Sequence, residues 1–246
     1  MKKVAIIPAR LGSTRFPRKL LGMLGGHPVI QWTYKSAVNS GLFDEVYLAA
    51  DSEEIGDAIR QIGGNVIISR KEHKTGTDRI AEAALQIDAD IILNVQGDEP
   101  FISRKPLENL LRVFDSPDIE AASIIQQLTD RNQIEDPNFV KVVCDRNGFA
   151  MYFSRAVVPF NRDNIQGVKY FGHIGVYAFR KDALVNFASL PTTPIEDTEK
   201  IEPIRMLEFG MKIKMVETEY YGIEIDTPED LEKANQYINK NTIKFY

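Results

Sequence analysis

Short apolar runs alternate with amphipathic stretches through the first part of this 246-residue chain. The strand-like runs lie at 4–7, 46–50, 65–68 and 91–95, and the helix-like stretches lie at 29–40, 53–62 and 78–87. Strands that alternate with helices are typical of a parallel sheet whose two faces are covered by those helices. The sequence therefore predicts an α/β fold with a mostly parallel central sheet flanked by helices.

The pattern changes in the second half, where antiparallel strands are predicted. Two apolar runs, 140–143 and 150–153, flank Asn147-Gly148, a dipeptide that strongly indicates a hairpin. A further strand is predicted over 173–179, so we place an inserted antiparallel arm at 140–180. The remaining predicted elements are helices at 181–188 and 198–209, a strand at 212–216 and a final helix that begins at Thr227.

Composition narrows the class of protein. The net charge of −5 gives no general basic field, so we expect no nucleic-acid partner. The single cysteine, Cys144, cannot form an intrachain disulfide and fits a reducing compartment. No run approaches the roughly 20 apolar residues of a membrane span, and no signal peptide is visible. We expect a cytoplasmic protein and interpret residues 1–246 as one domain with the inserted arm.

A basic loop follows the first predicted strand. Its cations are Arg10, Arg15, Arg18 and Lys19, set among small residues. Open α/β sheets bind ligands at the carboxyl ends of their strands, and guanidinium and ammonium groups neutralise phosphate oxygens. The loop predicts a polyanion site such as one for a triphosphate, although a solvated basic turn is an equally good interpretation of the loop alone.

Two acidic residues, far apart in sequence, each follow a predicted strand. Asp98 comes soon after the strand at 91–95, and Asp226 follows Ile223-Glu224-Ile225. Carboxylates that converge at one sheet edge could together hold Mg²⁺. The alternatives are that Asp98 belongs to a simple turn and that Asp226 only caps the helix that follows it.

The segment from Thr75 to Arg79 is a small, hydroxyl-rich turn that opens a predicted helix. Its amides and hydroxyls could contact a base or ribose, and a helix N-terminus favours anions. Taken alone, Thr75 is more often simply the N-cap of its helix.

Taken together, these motifs closely resemble the 3-deoxy-manno-octulosonate cytidylyltransferase family. The resemblance rests on matches that occur in order over nearly the whole chain: 7–10 with Ser13, Arg15, Pro17 and Lys19; 75–79; 94–100; 140–143; 152–155; Pro159 with Arg162 and Asp163; 173–177; and 226–231. Each match is weak by itself, but the ordered set is specific. It implies a Rossmann-like nucleotidyltransferase fold.

The resemblance implies that CMP is transferred from CTP to the anomeric hydroxyl of a 3-deoxy-2-keto sugar acid (Kdo), with release of pyrophosphate, for lipopolysaccharide precursor synthesis. Such a reaction depends on positioning and charge neutralisation more than on covalent catalysis. The residues implied in catalysis are Arg10, Lys19, Asp98 and Asp226, of which Asp98 and Asp226 would bind Mg²⁺. The residues implied in nucleotide binding are Pro8, Ala9, Arg10, Ser13, Lys19, Thr75, Gly76, Thr77, Asp78 and Gln96.

For the sugar acid, the resemblance points to Gln96, Arg162, His173, Tyr177 and Glu202. Arg162 suits a carboxylate but could equally be a surface charge beside Asp163. A histidine such as His173 is more often a structural hydrogen-bonding residue than a ligand. Tyr177 lies four positions farther along the same predicted strand, so alternation places both side chains on one face.

Two departures from the family pattern fall in the expected sugar site. Pro203 stands where the family has a glutamine, and it would kink a helix unless it lies near the helix start. Glu224 stands where glycine is usual, on the strand face that also carries Asp226. We hypothesise that Glu224 contacts the sugar and pairs with the amine of an amino-substituted acid.

Other functions stay open at this stage. The same parts could serve a CMP-sugar synthetase for a nonulosonate, or a non-catalytic module that binds nucleotide sugars. A dinucleotide oxidoreductase is disfavoured because the loop after the first strand lacks the G-x-G-x-x-G spacing. The resemblance and the arm both favour a homodimer.

Overall fold

The computed structural model describes residues 1–12, 16–73, 75–219 and 223–245. The chain separates into two compact units, the first formed by Met1–Lys105 with Tyr221–Tyr246 and the second by Pro106–Tyr220. The second unit is wider than the arm predicted at 140–180. That residues 1–246 act as one domain stays a prediction.

The first unit is built on parallel strands. Its elements are the strands β1 (Lys3–Ala9), β2 (Met23–Leu24), β3 (His27–Pro28), β4 (Glu45–Ala50), β5 (Asn65–Ile68) and β6 (Ile91–Asn94), and the helices α1 (Val29–Asn39), α2 (Glu53–Arg60) and α3 (Gly76–Ala84). A 3-10 helix spans Lys19–Leu21. Helix α4 (Arg104–Arg112) begins in this unit and continues into the second, and a 3-10 helix at Val113–Asp115 follows it.

β1 lies between β6 and β4 and pairs with both in parallel, and β4 pairs in parallel with β5. Residues 4–7 of β1 are fully buried, as the apolar run predicts for a strand covered on both faces. Because the four strands run in parallel, their carboxyl ends lie at one edge, where the loops after β1 and β6 emerge. This arrangement brings the basic loop and Asp98 to the same edge of the sheet.

The second unit contains the antiparallel strands. Its elements are the strands β7 (Ala121–Leu128), β8 (Lys141–Cys144), β9 (Ala150–Ser154), β10 (Tyr170–Arg180) and β11 (Ile213–Glu217), and the helices α5 (Arg131–Glu135), α6 (Lys181–Ser189), α7 (Pro194–Glu199) and α8 (Pro203–Glu208). β10 pairs antiparallel with β7 and β8, β8 pairs antiparallel with β9, and β11 pairs in parallel with β7. The hairpin around Asn147-Gly148 is confirmed, with Gly148 at a φ of +75°.

One predicted helix is wrong. The sequence predicts a single helix over 198–209, but α7 ends at Glu199 and α8 begins at Pro203. Lys200 adopts a left-handed conformation with φ 55°, which ends α7. Pro203 is the first residue of α8, where a missing backbone N–H costs nothing, so it starts a helix and does not kink one.

The chain returns to the first unit for its last helix, α9 (Pro228–Asn241). Thr227 is the N-cap of α9, and its side chain accepts a hydrogen bond from the Asp230 amide while the Asp230 carboxylate accepts one from the Thr227 amide. This capping box fixes the start of the helix. The apolar side of α9 packs through Ala234 and Ile238 against Trp32. The α/β fold with a mostly parallel sheet, flanking helices and inserted antiparallel strands is confirmed.

Candidate active site

Lys19 lies at the start of a 3-10 helix, directly after Arg18, whose φ of 59° turns the chain sharply. Its ammonium group donates a hydrogen bond to Asp226 Oδ1 at 2.7 Å and contacts the Asp98 carboxylate. Burial lowers the Lys19 pKa, but attraction by Asp98 and Asp226 outweighs this effect and the pKa is raised overall. The lysine is therefore a fixed positive charge between two carboxylates.

Asp98 is positioned by a close approach of two backbone segments. At the preceding residue, Gly97, an added Cβ would lie 3.1 Å from the Pro8 carbonyl oxygen, so a larger residue would push β1 away. Thr33 Oγ1 donates to the Gly97 carbonyl at 2.8 Å and anchors the turn to α1. The turn that was the alternative interpretation of Asp98 is thus present, but it also delivers a carboxylate to Lys19.

Asp226 is joined to this turn through the backbone, since the Ile225 amide donates to the Asp98 carbonyl at 3.0 Å. The alternative role of Asp226 was helix capping. Thr227 and Asp230 provide the capping box of α9, and the Asp226 carboxylate instead accepts from Lys19. Asp98 and Asp226 therefore converge, as expected. The strand predicted at 223–225 is wrong, however: this segment is irregular, and the Ile225 amide bonds to the turn after β6 and not to a strand.

A third carboxylate joins this pair. One oxygen each of Asp98, Glu224 and Asp226 lies within 4.8 Å of the other two, and we call these three residues the carboxylate cluster. Clustered carboxylate oxygens are the ligands that hard cations such as Mg²⁺ prefer, so the donor set fits that ion. The sequence assigned Glu224 only to the sugar and placed it on one face with Asp226; its closeness to Asp98 was not predicted.

Glu99 is a buried acid beside the carboxylate cluster. Within the described residues its Oε2 atom has no hydrogen-bond partner. Burial raises the pKa of Glu99 to about 8, with repulsion from Asp98 and Glu224 adding to the effect. A carboxyl group with this pKa is mostly protonated at neutral pH, which limits the negative charge around the cluster.

One pocket gathers most of the residues that sequence and resemblance assigned to the nucleotide, to catalysis and to the metal ion. The assigned residues that line it are Pro8, Ala9, Arg10, Lys19, Thr75, Gly76, Gln96, Asp98 and Asp226. Thr77 is buried and Asp78 is half-buried in α3, and neither is among the lining residues. Ser13, together with Arg15 of the basic loop, lies outside the described residues.

Thr75 serves two roles that the sequence presented as alternatives. It is the N-cap of α3, where its Oγ1 accepts from the Asp78 amide at 3.1 Å. It also lines the pocket beside Gly76. The cap therefore directs the N-terminus of α3, with its partial positive charge, toward the pocket.

Four residues that line the pocket were not assigned from the sequence, namely Leu20, Gly97, His73 and Arg79, and the last two carry ionisable side chains. Arg79 is buried in α3, and its guanidinium donates to the carbonyl of Ala9 at the end of β1. His73 contacts Glu82 through its Nε2 atom at 2.5 Å. Arg79 is the last residue of the segment 75–79, so its place in that motif, on a helix that starts at the pocket, is the signal that could have identified it.

In the second unit, His173 and Tyr177 lie together on β10. Their ring centroids are 5.3 Å apart, so the prediction that they share one face is confirmed. Phe153 meets the His173 ring edge-on at 5.1 Å. Burial lowers the pKa of His173 well below its usual range, and the ring is neutral at pH 7.

Glu202 directly precedes α8, where the buried Arg205 guanidinium pairs with it at 3.3 Å. Arg205 also lies 3.4 Å from the buried Glu196 carboxylate. Burial raises the pKa of Tyr177 well above its usual value, and the Glu202 charge raises it further. Tyr177 is thus a neutral hydroxyl that experiences the Glu202 charge.

Arg162 is the exception among the residues expected to contact the sugar. Its side chain is 87% exposed and lies 3.7 Å from Asp163. In this structure it has the geometry of the alternative interpretation, a surface charge beside an acid. Arg155, by contrast, is structural: its guanidinium donates to the carbonyls of Pro137 and Glu199.

Comparison with known proteins shows the family to which the chain belongs. The sequence model of a family described as cytidylyltransferase matches residues 4–213. A 3-deoxy-manno-octulosonate cytidylyltransferase of Flavobacterium johnsoniae is 54% identical over 95% of this chain and 97% of its own length. The chain belongs to the 3-deoxy-manno-octulosonate cytidylyltransferase family. A member from Christiangramia forsetii is 52% identical over 96% of each chain.

A solved structure extends the likeness from sequence to fold. It is that of a CMP:2-keto-3-deoxy-manno-octonic acid synthetase complexed with CTP. The two chains share 35% identity, and the match covers 98% of this chain and all of that one with a TM-score of 0.93. The family resemblance drawn from the ordered motifs is confirmed. Separately, none of the described helices has the length and apolar character required to cross a bilayer.

Proposed function

We propose that this cytidylyltransferase transfers CMP from CTP to the anomeric hydroxyl of Kdo. The hydroxyl oxygen would attack the α-phosphorus in line, the bond to the β-phosphate would break, and pyrophosphate would leave while the hydroxyl proton is lost. The observation that carries the proposal is the ammonium group of Lys19, held between Asp98 and Asp226 in a pocket that Arg10 also lines. The names of the relatives and the CTP in the similar solved structure support it.

The pocket contains the positive charge that binding of a triphosphate requires. Lys19 and Arg10 would neutralise phosphate oxygens, and the amides at the start of α3 would add donors. The same positive charges would stabilise the pyrophosphate as it departs, since negative charge accumulates on it in the transition state. Thr75, Gly76 and Gln96 would contact the nucleotide, with Gln96 between the nucleotide and the sugar acid.

We further propose that Asp98 and Asp226 hold Mg²⁺, with Glu224 close enough to contribute a third oxygen. When bound, the ion would offset charge on the phosphates and lower the pKa of the attacking hydroxyl. Asp98 and Asp226 already hold one cation, the Lys19 ammonium. In the reaction, Asp98 and Asp226 would hold positive charge next to the reacting α-phosphate.

The sugar acid would be recognised by residues of the second unit. His173 and Tyr177 present a neutral imidazole and a neutral phenol, and Glu202 is held by Arg205. Neutral donors and acceptors suit the several hydroxyls of a sugar acid. The exposed Arg162 would bind the substrate carboxylate through its planar fork.

The experiment is a pyrophosphate-release assay with CTP, other nucleoside triphosphates and a panel of 2-keto-3-deoxy sugar acids. We expect rapid release only with CTP, Kdo and Mg²⁺ together. Asp98→Asn should lower the rate at least about 100-fold, the typical effect of losing one electrostatic contact in the transition state. The matched control is Asp88→Asn, at a carboxylate that is 96% exposed. Full activity of Asp98→Asn, or no activity of the unaltered protein with any acid, would refute the proposal.

The panel also separates the alternative acceptors. Preference for a nonulosonate would indicate a different CMP-sugar synthetase, and binding of CTP without turnover would indicate a non-catalytic module. The exposed carboxylate of Glu224 favours an amino-substituted octulosonate as a second candidate substrate, because a carboxylate pairs with an ammonium group. Faster turnover of the parent octulosonate than of its amino-substituted form would rule that candidate out.

The cellular setting belongs to the same proposal. We propose a cytoplasmic homodimer whose product supplies an activated sugar for lipopolysaccharide precursor synthesis. Light scattering after size-exclusion chromatography measures the molar mass directly. A mass of one 27.8 kDa chain at working concentration would contradict the dimer.

A further inference from the structure

Ser123 lies fully buried in β7, opposite an irregularity in β10. On β10 two extra residues separate Ile174 from Tyr177, whereas their partners on β7, Ile124 and Ser123, are consecutive. The bulge turns backbone carbonyls toward the Ser123 hydroxyl, which lies 2.9 Å from the Val176 oxygen and 3.2 Å from the Ile174 oxygen. The hydroxyl also lies 3.0 Å from His173 Nε2.

These three contacts fix where the proton on the imidazole lies. A serine hydroxyl has one hydrogen to donate, and a carbonyl oxygen can only accept. If the hydrogen were given to His173 Nε2, both carbonyl oxygens would face the serine oxygen with no hydrogen between them. If Nε2 carries a hydrogen, it donates to Ser123 Oγ and the hydroxyl donates to the Val176 carbonyl. The second arrangement places a hydrogen in the two shortest contacts, at 2.9 and 3.0 Å, and leaves only the longer contact with the Ile174 carbonyl without one, whereas the first leaves both carbonyls without one.

Because Ser123 contacts Nε2 of the His173 ring, the ring nitrogen that can bind a ligand is Nδ1. Phe153 and Tyr177 contact the ring through their aromatic faces and edges, and the described hydrogen bond to the ring is made at Nε2. The neutral ring carries one hydrogen, so with Nε2 protonated Nδ1 has a lone pair. A lone pair accepts from a hydroxyl or an ammonium group and repels a carboxylate.

We infer that Ser123 is a positioning residue that holds His173 as the Nε2–H tautomer, so that Nδ1 accepts a hydrogen bond from a hydroxyl of the sugar acid. This inference rests on the proposed function for its ligand, but the tautomer itself does not. It predicts that His173 binds a hydroxyl group of the sugar acid and that a cationic residue binds the substrate carboxylate. It also gives a role to a serine that no motif singled out.

The tautomer is measured by ¹⁵N–¹H correlation spectra of protein labelled in its three histidines, with the His173 signals assigned by their loss in His173→Gln. At pH 7 we expect a protonated Nε2 and an unprotonated Nδ1. A protonated Nδ1, or an imidazolium with both nitrogens protonated, overturns the inference. Because the spectrum needs no substrate, a failure of the proposed function leaves this result intact and is seen separately in the pyrophosphate assay.

The role of Ser123 is tested by Ser123→Ala and Ser123→Thr, with Ser40→Ala as the control. Ser40 is another buried serine, whose hydroxyl donates to the Ala37 carbonyl. Ser123→Ala should shift the His173 signals toward a mixture of tautomers and raise KM for the sugar acid about 5-fold, the usual effect of one neutral hydrogen bond, with KM for CTP unchanged. Ser123→Thr keeps the hydroxyl and should keep the tautomer. An unchanged tautomer and an unchanged KM in Ser123→Ala overturn the positioning role.

Discussion

The Lys19 ammonium donates to Asp226 Oδ1 at 2.7 Å, although 207 positions separate the two residues in sequence. The same ammonium contacts Asp98, so one cation joins the loop after β1, the turn after β6 and the segment before α9. In the proposed function the carboxylates bind a metal ion and the lysine binds phosphate. On that proposal the ammonium and the ion would compete for the same oxygens whenever nucleotide is absent.

Replacing Lys19 separates these two roles. Lys19→Met should lower the transfer rate at least about 100-fold, since it removes positive charge from the reacting phosphates. In the absence of nucleotide it should tighten Mn²⁺ binding about 5-fold, because a competing charge worth roughly 1 kcal/mol is gone. Titration calorimetry with Mn²⁺ measures the affinity, and Lys240→Met at an exposed position of α9 is the control. Weaker Mn²⁺ binding in Lys19→Met would contradict the competition.

Glu224 can be tested as a third ligand without measuring activity. Glu224→Gln removes one negative charge from the carboxylate cluster, and we expect Mn²⁺ affinity to fall about 5-fold, a loss of roughly 1 kcal/mol. Glu229→Gln, at an exposed acid in the first turn of α9, should leave the affinity unchanged. If the two variants bind Mn²⁺ equally well, Glu224 contributes nothing to the ion and its role is confined to the substrate.

Arg205 connects the buried charges of the second unit. Its guanidinium lies 4.4 Å from the centre of the Phe187 ring, donates to the Leu190 carbonyl at 2.9 Å and pairs with Glu196 and Glu202. Arg205→Met leaves the Glu196 carboxylate buried beside an apolar group, which should cost about 3 kcal/mol in the free energy of unfolding.

Urea unfolding measures this loss, and a second substitution identifies its cause. In Arg205→Met with Glu196→Gln, both of these buried charges are gone while the side-chain oxygen that accepts from the Thr193 amide is kept, so most of the lost stability should return. A double variant no more stable than Arg205→Met would show that packing against Phe187 is what Arg205 provides.

Glu82 makes stability depend on pH. Burial raises its pKa, but hydrogen bonds with His73 and the Arg70 amide outweigh burial, and the pKa is lowered overall from 4.5. A carboxyl whose pKa is lower in the folded state stabilises the fold above its unfolded pKa, and this contribution is lost as the pH falls through the folded pKa. Glu82→Gln should therefore cost about 1 kcal/mol at pH 7, with a deficit that shrinks below about pH 4.5.

Thermal unfolding midpoints at pH 7 and in the acid range provide the measurement. Glu72→Gln, at an exposed neighbour, should have little effect at either pH. If Glu82→Gln lowers the unfolding midpoint equally at both pH values, the negative charge of Glu82 contributes nothing to stability.

Local patterns predicted the first unit better than the second. The apolar run at 91–95 predicts a buried strand, and Thr227 followed by a proline predicts a helix start. Both elements form, because burial and capping each require particular residue types at particular positions. No pattern predicted β2, β3, α4, β7 or α5. In addition, α7 and α8 were predicted as one helix, and the strand predicted at 223–225 does not form. β7 carries Ser123, so the missed strand also hid the partner of His173.

The sequence by itself determined the fold class, the family, the parallel strands of the first unit and the start of α9 at its cap. These are local or ordered properties, readable from hydrophobic period, turn chemistry and motif order. Only the tertiary structure decided that Lys19 lies between Asp98 and Asp226, that Glu224 joins them, and that Ser123 holds His173. Such relationships depend on backbone approaches between distant segments, such as the Ile225 amide to the Asp98 carbonyl, and no local pattern encodes a contact that long-range packing creates.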